Sequence, residues 1–273
     1  TSRTSKPQRS DFHLDRFIMH SDCQKILDNL GYTLELSRLK SRPFNLMVTG
    51  DAGSGKSTVL KAFYQLHKED PACEDEENHQ QRLVLLNMPH EPTPTKLLKA
   101  ICREANIPES GAKDLGRFIV AADRAGLRMV IIDEFHHIDG AFSHNHRRNI
   151  LNLIKLLGNQ TGMAFAVAGN KNINLVPQRD DQFKRRFKTV NLRNWVDDEE
   201  FRLFVISYLN ALPCEPPQSV DEQLFGQLLR GEGNRTYDIV ATLSEACFEA
   251  YARDDLDRLH LYVKDIRGRD GYV

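Results

Sequence analysis

Two spacings of apolar residues alternate through most of the chain, and only one of them continues to its end. Short continuous apolar runs at 45–49, 82–88, 128–133, 163–168 and 189–192 have the length of strands buried on both faces. Between them the spacing becomes helical. Leu60, Phe63, Tyr64 and Leu66 mark a helix over 58–67, and Ile150, Leu151, Leu153, Ile154, Leu156 and Leu157 mark another over 145–158. Further helices are predicted over 95–105 and 112–125, with short helical pieces at 172–176 and 180–187. A helical pattern around 23–30 precedes the first strand, and Pro43 and Phe44 lead into it. The polar, acidic stretch 69–81 reads as a solvent loop. Strands alternating with helices predict an α/β fold, a parallel sheet sandwiched by helices. From Asp198 onward only helical spacing remains, over 198–211, 220–230, 234–251 and 255–265, with Pro213, Pro216 and Pro217 punctuating the first two. The expected organisation is a flexible basic tail (1–15), an α/β core (16–196), a small all-helical lid (197–265) and a C-terminal tail (266–273).

The first strand and the helix after it flank Gly50-Asp51-Ala52-Gly53-Ser54-Gly55-Lys56-Ser57, which fits the phosphate-loop pattern G-x-x-x-x-G-K-S/T without a mismatch. Glycines let backbone N–H groups wrap phosphates, and the helix N-terminus adds partial positive charge. The pattern predicts a nucleoside triphosphate held by residues 50–58, Thr58 included. Lys56 would reach the β- and γ-phosphates, and Ser57 would hold Mg²⁺. The strand 128–133 ends in Asp133-Glu134, the Walker B arrangement. Two carboxylates at the end of a buried strand are costly unless a cation or ligand compensates them. Asp133 is the second expected Mg²⁺ residue, and Glu134 the residue that orients an attacking water.

One more strand, 82–88, falls between Lys56 and Asp133, and a glutamate directly follows the Walker B aspartate. Together these resemble the additional-strand, catalytic-glutamate class of P-loop ATPases. With the helical lid the chain resembles the AAA+ family. That resemblance implies sensor-1, arginine-finger and sensor-2 roles for Asn170, Arg186 and Arg235. Asn170 follows the strand 163–168 and Gly169, Arg186 lies in the basic segment 179–187 with Arg185 in reserve, and Arg235 opens a lid helix. By the same match Arg186 would reach the nucleotide of a neighbouring subunit.

Local wording narrows the resemblance. Phe17-Ile18-Met19-His20, Pro43, the stretch Asn87-Met88-Pro89-His90-Glu91-Pro92-Thr93-Pro94 and the turn Asp133-Glu134-Phe135-His136-His137-Ile138 are similar to the TniB family. That family comprises ATPase regulators of Tn7-like and Tn5053-like transposons, related to TnsC, including the TnsC of CRISPR-associated transposons. The likeness covers roughly residues 15–250. It implies an ATP- and Mg²⁺-dependent, DNA-binding homo-oligomer, a ring or filament on duplex DNA. Such an oligomer would link a TniQ-like target selector to a TnsB- or TniA-like DDE transposase in the bacterial cytoplasm, associated with the nucleoid. It further implies that the segment after the second strand faces DNA, making Lys96, Lys99 and Lys113 candidate phosphate contacts and Arg103 a fourth. A nucleotide-switched recruitment scaffold and an initiator- or clamp-loader-like ATPase are the alternative functions that the same motifs serve.

Composition changes this picture little. Hydrophobic content of 40% and charged content of 27% are ordinary for a globular chain. No apolar run approaches the roughly 18 residues of a membrane span, and the polar, basic N-terminus has no signal-peptide core. The net charge of −1 conceals an asymmetry: residues 197–273 carry 16 acids and 8 bases, and the preceding part 22 acids and 29 bases. The preceding part is therefore the one suited to face a polyanion. Five scattered cysteines without a C-x-x-C fit a reducing compartment. His136, His137, His144 and His146 lack the cysteine or acidic partners of a zinc spacing and read as polar turn residues. His136 or His137 could still relay nucleotide state, because both directly follow Glu134. Trp195 reads as packing at the core–lid junction rather than as a base-stacking platform.

Overall fold

The computed structural model describes residues 7–12, 17–37, 43–68, 82–109, 114–140, 144–174, 185–217, 220–230 and 233–268. The expected loop 69–81, most of the segment 179–187, Lys113 and the outermost parts of both tails lie outside the described residues. The chain divides into two compact units, one comprising Asp22–Gly50 and Lys56–Leu192, the other Thr1–Ser21, Asp51–Gly55 and Arg193–Val273.

The first unit is a parallel five-stranded sheet with helices. Its strands are β1 (Asn45–Gly50), β2 (Leu83–Asn87), β3 (Met129–Asp133), β4 (Ala164–Gly169) and β5 (Phe187–Leu192), in the order β2-β3-β4-β1-β5. The three central strands are buried at every position, as their unbroken apolar runs require, whereas β2 and β5 at the edges carry exposed positions. The strand that the sequence inserts between Lys56 and Asp133, β2, lies at an edge; β4 separates β1 from β3 in space. After the one-turn α1 (Arg9–Phe12), the helices that accompany the sheet are α2 (Ser21–Leu36), α3 (Lys56–His67), α4 (Pro94–Glu104), α5 (Leu115–Arg124) and α6 (His144–Thr161). Leu97, Ile101, Phe118, Ile150 and Ile154 from these helices pack with Val130, Ile132, Phe165 and Val167 of the sheet in one buried cluster.

Element ends follow local chemistry. The Thr93 side chain accepts from the Lys96 N–H and Pro94 opens α4; Asp114 caps α5 by accepting from the Gly116 and Arg117 N–H groups. Helix α6 runs three residues beyond its expected end and stops at Gly162, whose φ of 69° suits a residue without Cβ. The segment expected to be helical at 180–187 has its last residue in a strand. Phe187 opens β5 opposite Asn45, and the Asn45 N–H donates to the Arg186 carbonyl at 3.0 Å. The expected piece at 172–176 is a 3-10 turn over Lys171–Asn174.

The second unit is helical: α7 (Glu199–Asn210), α8 (Glu222–Leu228), α9 (Thr236–Ala252) and α10 (Leu259–Gly268), with α1 docked among them. Both expected tails contribute to it. Phe12 is fully buried, its ring against Phe248 and Tyr251, and Tyr208 donates its hydroxyl to the Phe12 carbonyl at 3.0 Å. At the other end Ile266 is buried, and the Arg267 guanidinium donates to the carbonyls of Leu228 and Gly233, both at 2.8 Å. A fully buried phenylalanine costs about 3–5 kcal/mol when cut to alanine. Phe12→Ala is therefore expected to destabilise the helical unit by that amount in denaturant titrations followed by Trp195, the single tryptophan, which is itself buried in the same cluster. An unchanged midpoint would mean that the N-terminal turn does not dock.

The described cysteines are all free. Burial pushes the Cys247 and Cys102 thiols above their ordinary range, which makes them packing residues rather than nucleophiles. Among the described residues no helix is long and apolar enough to cross a membrane.

Candidate nucleotide site

In the sheet unit, β1, β3 and β4 run parallel, so their C-terminal ends open on one edge, with Thr49 beside Gly169 and Asn87 beside Asp133. Ligands of open parallel sheets bind at this edge, outside the carboxyl ends of the strands. Gly50 ends β1 there. Lys56 opens α3, is only 9% exposed, and donates from Nζ to the Gly50 carbonyl at 3.0 Å. Ser57 follows in the first turn of α3, half-buried, and Thr58 is exposed.

Asp133 is buried. Its Oδ1 accepts the Glu134 N–H at 2.8 Å and its carbonyl accepts the Met88 N–H at 2.8 Å, which fixes the end of β3 against the end of β2. Glu134 leaves the strand with φ of 53°, a left-handed conformation that costs a residue with a side chain. Such strain concentrates where the surrounding structure imposes a particular side-chain direction. The Glu134 carboxylate lies 3.2 Å from Nδ1 of His136 in the following 3-10 turn, Phe135–Gly140. Asn170, directly after β4, accepts the Ile173 N–H on its carbonyl. A Cβ on Gly169 would come within 3.2 Å of the His136 backbone nitrogen, so glycine permits β4 to approach the turn that carries the histidines.

Arg186 stands elsewhere. It precedes β5, at the N-terminal edge of a parallel sheet and therefore at the opposite end from Asp133. Its guanidinium donates to the Asn159 amide oxygen at 2.9 Å, and Arg185 beside it is exposed.

The turn Asp51–Gly55 groups with the helical unit, which supplies its partners. Tyr237 donates its N–H to the Gly53 carbonyl at 2.9 Å, and the Thr236 hydroxyl donates to the Ser54 carbonyl at 3.1 Å while accepting the Trp195 indole N–H. Asn194 donates to the Asp51 carboxylate at 2.8 Å. Gly53 and Gly55 have φ of 78° and 99°; a Cβ on Gly55 would meet nothing within 4 Å, so its open side has space for a ligand. The Ser54 hydroxyl is buried without a protein partner. An orphaned hydroxyl inside a glycine turn fits an anionic ligand with acceptor oxygens. Asn194, Thr236 and Tyr237 carry no motif, and nothing in the sequence marks them. Arg235 caps α9 and is held by Asp238, at 2.5 and 3.3 Å. Trp195 is buried against Phe204 with 4.7 Å between ring centroids.

The candidate DNA residues line α4. Lys96 lies 3.8 Å from the Glu91 carboxylate, and Lys99 and Arg103 face Glu109 at 4.0 and 3.3 Å. Exposed pairs of this kind contribute about 0–1 kcal/mol.

A comparison with curated proteins finds no match. Among solved structures the chain is similar to the ORC2 protein of Aeropyrum pernix in its ADPNP–ADP complexes, with 16% identity over 97% of this chain and 72% of that one and a TM-score of 0.68. It is similar also to the ORC1 protein of Aeropyrum pernix in complex with DNA (14% identity, 96% of this chain and 70% of that one, TM-score 0.65). A third likeness is to the RuvB Holliday junction branch migration motor of Thermotoga maritima (12%, 93% and 73%, TM-score 0.55). At these identities the likeness is one of fold. The sequence profile of the bacterial TniB protein matches residues 10–197, more than half of the chain, which therefore belongs to the TniB family.

Proposed function

We propose that this protein is an ATP-hydrolysing, DNA-binding oligomeric regulator of transposition, connecting a TniQ-like target selector to a TnsB- or TniA-like transposase. The observation that carries the nucleotide reading is the phosphate loop itself: two positive-φ glycines, an orphaned Ser54 hydroxyl and Lys56 at the head of α3, with a buried carboxylate ending β3. The transposition reading rests on TniB membership, and the ORC1 protein in complex with DNA, which shares the fold, accords with it.

In this reading residues 50–58 bind the triphosphate, with Lys56 as the point charge on its outer phosphates. Ser57 and Asp133 would hold Mg²⁺, which neutralises charge developing on the transferred phosphoryl group. Glu134 accepts a proton from, and orients, the attacking water. Asn170 positions the water from the neighbouring strand end. Arg186, at the far end of the sheet from Asp133, is suited to the nucleotide of an adjacent subunit rather than its own. Arg235 acts at the nucleotide by exchanging its carboxylate partner Asp238 for phosphate oxygens.

Electron microscopy with short duplex DNA tests the whole reading. Rings or filaments are expected with a non-hydrolysable ATP analogue and not with ADP. Monomers under both conditions would remove the trans arginine from the mechanism. On the same DNA, Lys96→Ala and Lys99→Ala are each expected to reduce the slope of log affinity against log salt by about 0.9, the value for one phosphate no longer neutralised. An unchanged slope in both would take DNA away from α4.

A further inference from the structure

The turn after β3 holds two histidines that the nucleotide reading does not use. Among the described residues, Glu134, His136 and His137 form the one group of three metal-ligating side chains whose donor atoms all lie within 4.8 Å of one another. The Nδ1 atoms of both histidines are buried and make no protein hydrogen bond of good geometry. The 3.2 Å approach of His136 Nδ1 to the Glu134 carboxylate is a proximity rather than an aligned bond. The His137 ring lies between two other imidazoles, its centroid 4.8 Å from that of His90 and 4.7 Å from that of His136. Buried ring nitrogens without partners need a ligand.

The geometry points to a transition-metal site, with Zn²⁺ as its natural ion, ligated by Glu134, His136 and His137 and completed by solvent. Tetrahedral zinc with bonds near 2.0–2.1 Å places neighbouring donor atoms about 3.4 Å apart. The Glu134–His136 pair is already at that spacing. Side-chain rotation of the half-buried His137 closes the remainder, since the backbone of the turn is fixed by the His137 N–H donating to the Glu134 carbonyl at 3.0 Å. Two imidazoles and one carboxylate select zinc, cobalt or nickel over Mg²⁺, whose ligands are oxygens and water. The site is thus chemically distinct from the Mg²⁺ position proposed at Ser57 and Asp133, although it lies one residue along the chain from the latter.

The consequence for activity rests on the reading of Glu134 as the residue that activates water. A carboxylate committed to zinc cannot accept a proton from water, so occupation of the site arrests hydrolysis while leaving the phosphate loop free to bind ATP. Zinc would then hold the protein in its ATP-bound state, the state expected to stay on DNA.

Untagged full-length protein, free of nucleotide, is titrated with Zn²⁺ by calorimetry and with Co²⁺ by visible absorption. One ion per chain is expected, with an intense low-coordination Co²⁺ spectrum, undisturbed by a large excess of Mg²⁺. His136→Ala and His137→Ala are each expected to weaken binding at least about tenfold, and thermal unfolding of the metal-free variants checks that they fold. Unchanged affinity in both variants, or displacement by Mg²⁺, overturns the site. ATP turnover is then measured against Zn²⁺ concentration: inhibition at the calorimetric affinity, shifted upward by the same factor in the variants, is expected. Zinc bound with full stoichiometry but without inhibition would leave the metal site standing and overturn the role of Glu134 instead.

Discussion

Glu134→Gln is expected to lower ATP turnover by between about 10²- and 10⁴-fold, the range a positioned general base contributes, while leaving ATP affinity within a few-fold of the starting protein. The substitution keeps the shape and the left-handed backbone of the residue, so it isolates the proton-accepting role. It also removes the charge that this position brings to within 3.2 Å of His136 Nδ1. Single-turnover hydrolysis measures the chemical step, and a fluorescent ATP analogue measures binding. The variant should accumulate as an ATP-bound oligomer on DNA, because assembly would proceed and its reversal would not. Normal turnover in Glu134→Gln would reassign the base and remove the chemical reason for two carboxylates at this strand end.

Lys56→Ala acts one step earlier. Its ammonium is nearly buried and reaches back to the Gly50 carbonyl at 3.0 Å, across the turn that would wrap the phosphates. A charge-assisted hydrogen bond removed from such a site costs about 1.5–3 kcal/mol, or roughly 10- to 150-fold in affinity. Because the lysine also ties the loop together, Lys56→Met, which keeps the apolar stem, is the companion variant. Both are expected to lose ATP affinity in that range and, with it, nucleotide-dependent assembly on DNA. Equilibrium binding of labelled ATP decides the matter: affinity within twofold of the parent in Lys56→Met would mean that the loop does not cradle phosphates through this residue. The two variants separate binding from chemistry, since Glu134→Gln should assemble and Lys56→Ala should not.

The parallel sheet and the two nucleotide motifs are legible in the sequence because each is written in contiguous residues. A strand buried on both faces needs an unbroken apolar run, and the runs ending at Gly50, Asp133 and Gly169 occupy the three central places. A phosphate loop needs glycine where φ is positive, and Gly53 and Gly55 meet that need. Edge strands are less legible. The start of β5 reads as helix because Lys184-Arg185-Arg186-Phe187 carries no strand pattern, and only pairing with Asn45 makes Phe187 a strand residue. The same limit applies at the termini: Phe12 and Ile266 sit in stretches that read as tails, and the core of the helical unit, not local spacing, buries them.

By itself, then, the sequence determined the central strands, the phosphate loop, the carboxylate pair and the family, all through residues adjacent in the chain or at a helical or strand period. The tertiary structure alone decided that β4 divides β1 from β3, that Arg186 lies across the sheet from Asp133, and that Thr236 and Tyr237 hold the carbonyls of Ser54 and Gly53. It decided also that Glu134 and His137 have donor atoms close enough to share an ion with His136. These are matters of strand order, register and turn geometry, in which hydrogen bonds and packing join residues far apart in the chain or set the direction of neighbouring side chains. No periodicity records such contacts, because their free energy is gained only when the distant partners are folded into place.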